Sequence, residues 1–281
     1  DLMQYVKGPD FPTGAYIMGL QGIKDAYETG RGRIILRAKA DIESGDQHDK
    51  IVVTEIPYGV NKAELIKSIA QMVADKKLEG ISNVNDESDK EGMRIVVDVK
   101  RDANARVVLN KLFKMSALQT SFSVNSIALV KGRPRLLTLR DCISNFVAHR
   151  HEVVIRRTKY DLRKAEERAH ILAGLIIASD NIDEVVRIIK GSKTPQMAME
   201  GLMQRFSLDE VQAKAIVDMR LSQLTGLQQE KLHAEYDELQ EKIKYYNQIL
   251  TDDELCRKVI KDELEEVKDK FGDERKTQIM P

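Results

Sequence analysis

The side chains best placed for chemistry in this sequence are basic residues at alternating positions. Arg31 and Arg33 lie where a glycine-containing loop leads into a predicted strand, and Lys131 and Arg133 lie in a predicted hairpin. Guanidinium and ammonium groups in such places can bind the oxygen atoms of phosphate groups. Lysine and arginine also protect sheet edges as plain solvated charges, so the pattern alone leaves both interpretations open. No aromatic residues alternate with these basic ones, which disfavours stacking on single-stranded nucleic acid.

No group of residues has the spacing of a catalytic or metal-binding site. His149 and His151 lie two positions apart on a predicted helix and therefore point to different faces. The acidic cluster at residues 86–91 could bind a divalent cation, although a solvated loop between two strands is the simpler interpretation. Gly30 begins no phosphate-binding P-loop, because the Lys-Ser/Thr pair of that motif is missing at the required spacing. We therefore predict no catalytic residue, no metal and no cofactor in this chain.

The composition indicates a folded protein rich in long helices. The 281 residues include 45 basic and 45 acidic side chains, so the formal net charge is zero. Hydrophobic residues make up 42% and aromatic residues 5%, which excludes collagen and low-complexity or disordered chains. No apolar run approaches the ~18 residues that a membrane-spanning helix needs. The two cysteines lie far apart and indicate neither a disulfide nor a metal pair, which suits a reducing compartment.

The basic residues belong to a first part, up to about residue 137, in which strands and helices alternate. Glycine and proline are frequent in residues 1–32, which predicts a loop with one short helix near residues 23–27. Alternating or β-branched residues predict strands at 36–42, 50–56, 81–84 and 93–100, and a hairpin over 126–137. Helical spacing predicts one helix over 63–77 with Asn61 as its N-cap, and a later helix that Asp102 caps. This pattern is typical of a sheet covered by helices, in an α+β or α/β domain.

The second part is predicted to contain two long helices. Residues 140–179 contain no proline and a single glycine, which predicts a helix of about 60 Å. A second long helix is predicted over 228–250, where apolar residues recur at steps of four and three. That spacing is the seam of a coiled coil, and the natural partner of this helix is the first long helix in antiparallel orientation.

Three short helices between the long ones predict a compact helical tip. The last of them, over 208–222, is expected to begin with a capping box of Ser207 and Glu210. A final helix is predicted over 253–271, and residues 272–281 are expected to be frayed. A tip of under ~90 residues has little core of its own, so its apolar residues either fill that core or meet a second copy of the chain. The residues predicted for such a dimer interface are Val211, Met219, Leu221 and Leu224.

Eight segments of the sequence, in the same order, resemble the A subunits of bacterial type IIA topoisomerases. The first is Gly8-Pro9-Asp10-Phe11-Pro12-Thr13-Gly14 and the last is Phe271-Gly272-Asp273-Glu274-Arg275. The others lie at residues 30–33, 55–62, 86–94, 119–122, 168–172 and 221–227. The resemblance covers essentially the whole chain. The segments at 119–122 and 224–227 are more similar to the DNA gyrase A-subunit family than to the topoisomerase IV A-subunit family, which is the close alternative.

The resemblance implies a fold and a division into domains. It identifies residues 1–137 as the tower domain, a mixed sheet with helices that lies beside the DNA gate. Residues 138–180 and 228–271 correspond to an antiparallel coiled-coil arm, and residues 181–227 to a helical exit-gate tip through which two A subunits pair. The expected fold class is therefore α+β, with a mixed α/β tower followed by a long coiled-coil arm and a small all-helical tip.

The activity implied by the resemblance is ATP-dependent breakage, passage and rejoining of double-stranded DNA, which in gyrase introduces negative supercoils. The implied partners are double-stranded DNA, a second copy of the chain and the gyrase B subunit in an A2B2 assembly, with no membrane. Mg2+ and ATP are implied for the assembly through the B subunit, and none for this chain. On this interpretation the DNA-binding residues are Arg31, Arg33, Lys131 and Arg133, and the protein is cytoplasmic.

The same resemblance implies that the bond-breaking residues lie elsewhere. The catalytic tyrosine of these enzymes belongs to a winged-helix domain upstream of the motif at residues 8–14, and neither Tyr5 nor Tyr16 has its context. Because the sequence starts at Asp1 and ends at Pro281, we expect a fragment, inactive alone, that lacks this domain and the DNA-wrapping C-terminal domain. Two other classes are kept as alternatives: a non-catalytic DNA-binding protein of the same architecture, and a coiled-coil scaffold that binds no nucleic acid.

Overall fold

The computed structural model describes residues 2–281, except for the side chains of Leu221, Leu224 and Leu227. The chain divides into two compact units, one made of residues 1–146 with 272–281 and the other of residues 147–271. The first unit contains strands and helices, and the second is helical in its described part.

The strands of the first unit form two four-stranded sheets and one hairpin. In chain order they are β1 (Tyr16–Met18), β2 (Arg31–Arg37), β3 (Lys39–Glu43), β4 (Lys50–Glu55), β5 (Ile81–Asp86), β6 (Ile95–Val99), β7 (Gln119–Asn125), β8 (Ile127–Val130), β9 (Arg133–Leu136) and β10 (Gln278–Met280). The first sheet has the order β10-β1-β2-β7, the second has the order β3-β4-β6-β5, and β8 pairs with β9. Strands β1 and β10 are parallel, whereas the other neighbours are antiparallel.

Each sheet has its own buried core under helices. The helices are α1 (Gln21–Thr29), α2 (Lys62–Ala74) and α3 (Ala105–Met115). Ile23 of α1 packs with Ile34 and Leu36 of β2 in the first core. In the second core, Ile69 of α2 and Leu112 of α3 are fully buried among the valines and isoleucines of β4 and β6. The first unit therefore has the predicted mixture of strands with helices on them, but the single predicted sheet is wrong, because the strands form two four-stranded sheets and a hairpin.

The predicted strand over 36–42 is wrong in one respect, because it is two strands of different sheets. Strand β2 ends at Arg37 and β3 begins at Lys39. Ala38 between them is buried, and its N–H donates to the carbonyl oxygen of Leu118 at 2.7 Å. Alternation of apolar and polar residues continues across this crossing, so a period of two cannot reveal it.

The predicted cap of α3 is also wrong. The N-cap is Asn104 rather than Asp102, because Oδ1 of Asn104 accepts hydrogen bonds from the N–H groups of Arg106 and Val107 at 3.0 and 3.3 Å. By contrast, the predicted cap of α2 is confirmed: Oδ1 of Asn61 accepts from the N–H of Glu64 at 3.1 Å. Asparagine and aspartate are similarly good caps, so sequence alone does not choose between neighbouring candidates.

The second unit contains most of α4 (Leu139–Asp180), followed by α5 (Ile182–Gly191), α6 (Pro195–Phe206), α7 (Glu210–Val217), α8 (Gly226–Thr251) and α9 (Asp253–Phe271). Val154 of α4 clusters with Ile249 near the end of α8, whereas Leu172 of α4 clusters with Leu232 near its beginning. The two long helices are therefore antiparallel. Together with the sheets of the first unit, these helices confirm the α+β class and the long antiparallel helix pair.

The capping box predicted from Ser207 and Glu210 is wrong. Helix α7 is capped by Asp209, whose carboxylate accepts from the N–H of Gln212 at 2.9 Å while the Gln212 side chain accepts from the Asp209 N–H. Ser207 instead ends α6 with a left-handed φ of 54°. The pattern of apolar residues does not show that α6 ends at Ser207 in a left-handed conformation, so it cannot show that α7 begins after Asp209.

Candidate nucleic-acid interface

The outward face of the first sheet carries the first pair of predicted binding residues. On β2, Ile34 and Leu36 point into the core and are each 1% exposed. Because successive side chains of a strand point to opposite faces, Arg31 and Arg33 lie on the solvent side. Both arginine side chains are exposed.

The neighbouring strand β7 adds polar side chains to the same face. In the antiparallel register Asn125 lies opposite Arg31, Ser123 lies opposite Arg33, and Ser121 follows two residues further along. All three β7 residues are exposed. Directly opposed side chains have Cβ atoms about 5 Å apart, so each arginine has an amide or hydroxyl group beside it. We call these five residues the β2–β7 face.

No carboxylate interrupts this surface in the described strands. The outward residues of the sheet are Tyr16, Met18, Arg31, Arg33, Ile35, Arg37, Gln119, Ser121, Ser123, Asn125, Gln278 and Met280. The ion pairs of the first unit's described residues involve other side chains, so neither Arg31 nor Arg33 is neutralised by a partner there. The face is therefore positively charged and supplies hydrogen-bond donors, the chemistry that an anion requires.

The third arginine of β2 is already engaged. Nε of Arg37 donates to Oε1 of Gln119 at 2.6 Å, and its guanidinium carbon lies 4.7 Å from the ring centroid of Phe113. Arg37 is thus covered by α3, and the free part of the strand is the half that carries Arg31 and Arg33.

Two glycines place these arginines. Gly30 ends α1 in the left-handed conformation, with φ of 80°, and turns the chain directly into β2. A Cβ atom on Gly32 would lie 2.7 Å from the backbone nitrogen of Ala26 on α1, so only glycine allows the helix to lie this close to the strand. The glycines around Arg31 therefore have a structural function, and the arginines project from the side of the sheet away from α1.

The hairpin of β8 and β9 presents the second pair of predicted residues. Lys131 and Gly132 have φ values of 51° and 76°, which are typical of a two-residue type I′ turn. A cavity of about 720 Å³ beside the hairpin is lined by Val130, Lys131, Arg133, Pro134, Arg135 and Asn145, with no acidic residue among them. Lys131 and Arg133 are therefore brought together with a third cation and an amide.

Sequence reasoning missed part of both surfaces. Strand β7 was not predicted, although polar and apolar residues alternate from residue 121 to 125 and could have indicated it. The short strand β1 lies where the sequence predicts a loop. Asn145 lies on α4, ten residues beyond Arg135, and no local pattern connects it with the hairpin.

The expectation that residues 272–281 are frayed is wrong. Strand β10 pairs with β1, and the side chain of Thr277 is fully buried. Its Oγ1 accepts a hydrogen bond from the N–H of Phe11 at 2.8 Å and donates to the carbonyl oxygen of Gly14 at 2.9 Å. The polar residues near the C-terminus thus bind the loop near the N-terminus rather than water.

Two charged side chains complete this terminal contact between residues 8–14 and 275–277. Nη1 of Arg275 donates to the carbonyl oxygen of Gly8 at 2.8 Å. The carboxylate of Asp10 accepts from the backbone N–H of Thr277 at 2.8 Å, and this bond is the largest cause that lowers the pKa of Asp10. The first and last motifs of the family resemblance therefore stabilise the fold of the first unit.

The acidic loop at residues 86–91 is used for ion pairs. Asp86 binds Nζ of Lys62 at 2.8 Å. Hydrogen bonding to that lysine is the main cause that lowers the pKa of Asp86 to about 2. Glu87 and Glu43 both bind Arg94, at 3.3 and 3.0 Å. These carboxylates hold the loop to its own unit.

Two other kinds of function have no structural support among the described residues. No group of three or more histidine, cysteine, aspartate and glutamate side chains there is placed to hold a metal ion. No described helix combines the length and the apolar character that crossing a lipid bilayer requires.

The predicted dimer residues have different environments. Val211 lies on α7 and is 55% exposed. Met219 follows α7 and is half-buried against the helical core of the second unit. The side chains of Leu221 and Leu224 lie outside the described residues. Of Val211 and Met219, Val211 has the larger exposed surface that a second molecule could contact.

Comparison with known proteins identifies the family. The family model for the A subunits of DNA gyrase/topoisomerase IV matches residues 1–265. The chain is 54% identical over 279 residues to the DNA gyrase A subunit of Halalkalibacterium halodurans, 52% over 280 residues to that of Clostridium acetobutylicum, and 52% over 281 residues to that of Staphylococcus aureus strain MRSA252. These matches cover 99% of this chain and 34%, 34% and 32% of the respective relatives, so the chain spans about a third of their length. Because the family model covers nearly all of the sequence, this chain belongs to the family of DNA gyrase/topoisomerase IV A subunits.

Proposed function

We propose that this chain is the part of a DNA gyrase A subunit that supports the gate DNA and pairs with a second copy of itself. The relatives at 52–54% identity are DNA gyrase A subunits, which supports gyrase over topoisomerase IV. With the B subunit in a cytoplasmic A2B2 assembly, the whole protein breaks both strands of one duplex, passes a second duplex and rejoins the first. ATP, which drives negative supercoiling, and Mg2+ act through the B subunit in this proposal.

The proposal divides this mechanical task along the chain. Residues 1–137 support DNA as the tower, residues 138–180 and 228–271 form the coiled-coil arm, and residues 181–227 form the exit-gate tip. No bond-breaking residue is assigned to these parts, and the catalytic tyrosine belongs to another part of the longer polypeptide.

The observation that carries the proposal is the positive, carboxylate-free β2–β7 face. Arg31 and Arg33 are exposed and have no ion-pair partner among the described residues of their unit. Contacts to phosphates fix the position of a duplex without reading its sequence. Such contacts suit a protein that must hold DNA at many different sites. Lys131 and Arg133 in the hairpin cavity extend the same chemistry.

Replacing Arg31 and Arg33 together by alanine is expected to weaken duplex binding and its dependence on salt. Each phosphate contact contributes about −0.9 to the slope of log K against log salt concentration, so the double variant should lose roughly 1.8 of that slope. The ratio of the binding constant of the unaltered chain to that of the double variant should therefore fall roughly tenfold between about 50 and 200 mM salt. Fluorescence anisotropy with a short labelled duplex measures both quantities.

The matched control is Arg106→Ala, which removes an exposed arginine of α3 that has no ion pair among the described residues. This control should keep most of the affinity. A double variant that binds like the unaltered chain at low salt would remove Arg31 and Arg33 from the interface. Absence of duplex binding by the unaltered chain would favour the scaffold class instead.

Replacing Val211 by aspartate is expected to dissociate the dimer. If two tips pair through α7, the new carboxylate is buried without a partner, and an uncompensated charge of this kind weakens association by about 100-fold or more. Sedimentation equilibrium should then show monomers at concentrations where the unaltered chain is dimeric. The control is Val267→Asp on α9, because Val267 is 53% exposed and lies outside the tip. Dimers that survive Val211→Asp would place the interface elsewhere.

A further inference from the structure

We propose that Ser121, Ser123 and Asn125 of β7 bind the phosphate oxygens of a DNA backbone together with Arg31 and Arg33. This inference rests on the proposed function and extends it from two arginines to a two-stranded binding surface. The ligand is the phosphodiester backbone of a duplex, bound without selection of its bases.

The register of the two strands pairs each charged donor with a neutral one. Arg31 lies opposite Asn125 and Arg33 lies opposite Ser123. A guanidinium group offers several N–H donors in a fixed plane, and a hydroxyl or amide group offers a further donor at a different angle. A phosphate seated between such a pair receives hydrogen bonds from two directions, which an isolated surface arginine does not provide.

The spacing along β7 repeats the same arrangement. Residues on one face of a strand recur about every 6.8 Å, so Ser121, Ser123 and Asn125 form a row of donors. The side chains are short, and the donor atoms therefore lie close to the strand. A bound backbone must therefore approach the sheet closely. Phosphate oxygens are the same at every base pair, so contacts to them carry no sequence information.

The β7 donors are not used within the described part of the protein. Other serines of this unit donate to carbonyl oxygens: Ser82 to Asp98 at 3.1 Å and Ser116 to Leu112 at 2.6 Å. The side-chain hydrogen bonds of the described residues include none from Ser121, Ser123 or Asn125, although all three are exposed. Free hydroxyl and amide donors beside two unpaired arginines, on a face without carboxylates, match the donor requirement of a phosphate.

Because the β7 side chains are uncharged, their contribution to binding can be distinguished from that of the arginines by its dependence on salt. Neutral donors neutralise no phosphate charge, so their loss should lower affinity without changing the salt slope. We expect Ser121→Ala with Ser123→Ala to weaken binding of a short labelled duplex by about tenfold, because hydrogen bonds to charged groups are the stronger ones. The slope of log K against log salt should equal that of the unaltered chain, whereas Arg31→Ala with Arg33→Ala should reduce it.

Two further variants control for structure. Ser123→Thr retains the hydroxyl on a strand position and should bind like the unaltered chain, which separates loss of the donor from disturbance of the sheet. Ser68→Ala removes an exposed hydroxyl on α2 and should have no effect.

The outcomes distinguish this inference from the proposed function. If the arginine variants weaken binding and the serine variants do not, the inference that β7 side chains bind phosphates is wrong and the proposed function stands. A reduced salt slope in the serine variants would show that they act by displacing the arginines, which also overturns the row. An unaltered chain that binds no duplex overturns the proposed function and this inference together.

Discussion

Replacing Thr277 by valine is expected to destabilise the first unit by about 3 kcal/mol, because it leaves two buried backbone groups without partners. Valine has nearly the shape of threonine but lacks the hydroxyl. The N–H of Phe11 and the carbonyl oxygen of Gly14 both bind that hydroxyl, and Thr277 is fully buried, so water cannot replace it. For a unit of this size such a loss lowers the thermal midpoint by roughly 6 to 12 °C.

Calorimetry of the unaltered and substituted chains measures this effect, and hydrogen exchange of β1 and β10 shows where it acts. Thr54→Val is the matched control, since Thr54 is exposed on β4 and should change the midpoint little. Thr277→Ser keeps the hydroxyl and should lose much less stability than valine. A Thr277→Val chain that melts with the unaltered one would show that the terminal contact contributes nothing.

The terminal contact matters because of how the chain runs. The polypeptide leaves the first unit after Phe146 and returns to it at Gly272. Shortly after this return, Arg275 binds the carbonyl oxygen of Gly8 and the N–H of Thr277 binds Asp10. These hydrogen bonds hold strand β10 beside β1 within the first unit.

Local patterns were sufficient for the long helices. Helix α9 spans the predicted residues 253–271, and α8 extends the predicted 228–250 by two residues at its start and one at its end. Apolar periodicity over many turns averages out exceptions, and the one coiled-coil seam, at residues 228–250, requires a partner that the first long helix can supply. Helix ends were less predictable, as the caps of α3 and α7 show, because a cap depends on a single side chain and on how the preceding segment arrives.

Contacts between distant segments were not predictable in the same way. The sequence places Arg31 and Arg33 where a loop leads into a strand, whereas both lie within β2. Their neighbours on β7 are about 90 positions away and pair with β2 through a register that the sequence does not state. The terminal contact joins residues more than 260 positions apart. The family resemblance identified the motifs at residues 8–14 and 271–275. A motif shared with a family does not show which of its residues contact another segment of the chain. The DNA-binding and dimer assignments therefore stay predictions.

The second large effect is expected from Gly174→Val at the crossing of α4 and α7. A Cβ atom at Gly174 would lie 2.8 Å from Cβ of Gln212, closer than side-chain carbons approach each other. Gln212 cannot move freely, because its Nε2 donates to the carbonyl oxygen of His170 at 2.9 Å and its backbone N–H binds the capping carboxylate of Asp209. That carboxylate also binds His170, and its pKa is lowered first by the Gln212 N–H and then by the histidine.

Overpacking of this kind usually costs about 1–3 kcal/mol, and a branched side chain held between two helices should reach about 3 kcal/mol. The gain in helix propensity on replacing glycine, under about 1 kcal/mol, is too small to offset it. Hydrogen exchange should therefore show lost protection of the amides in α7, while those of α9 keep theirs. Gly191→Val is the control, since no heavy atom lies within 4 Å of a Cβ at the end of α5. If Gly174→Val left α7 as protected as in the unaltered chain, α7 would not depend on close contact with α4, and the tip would be held together by its apolar core alone.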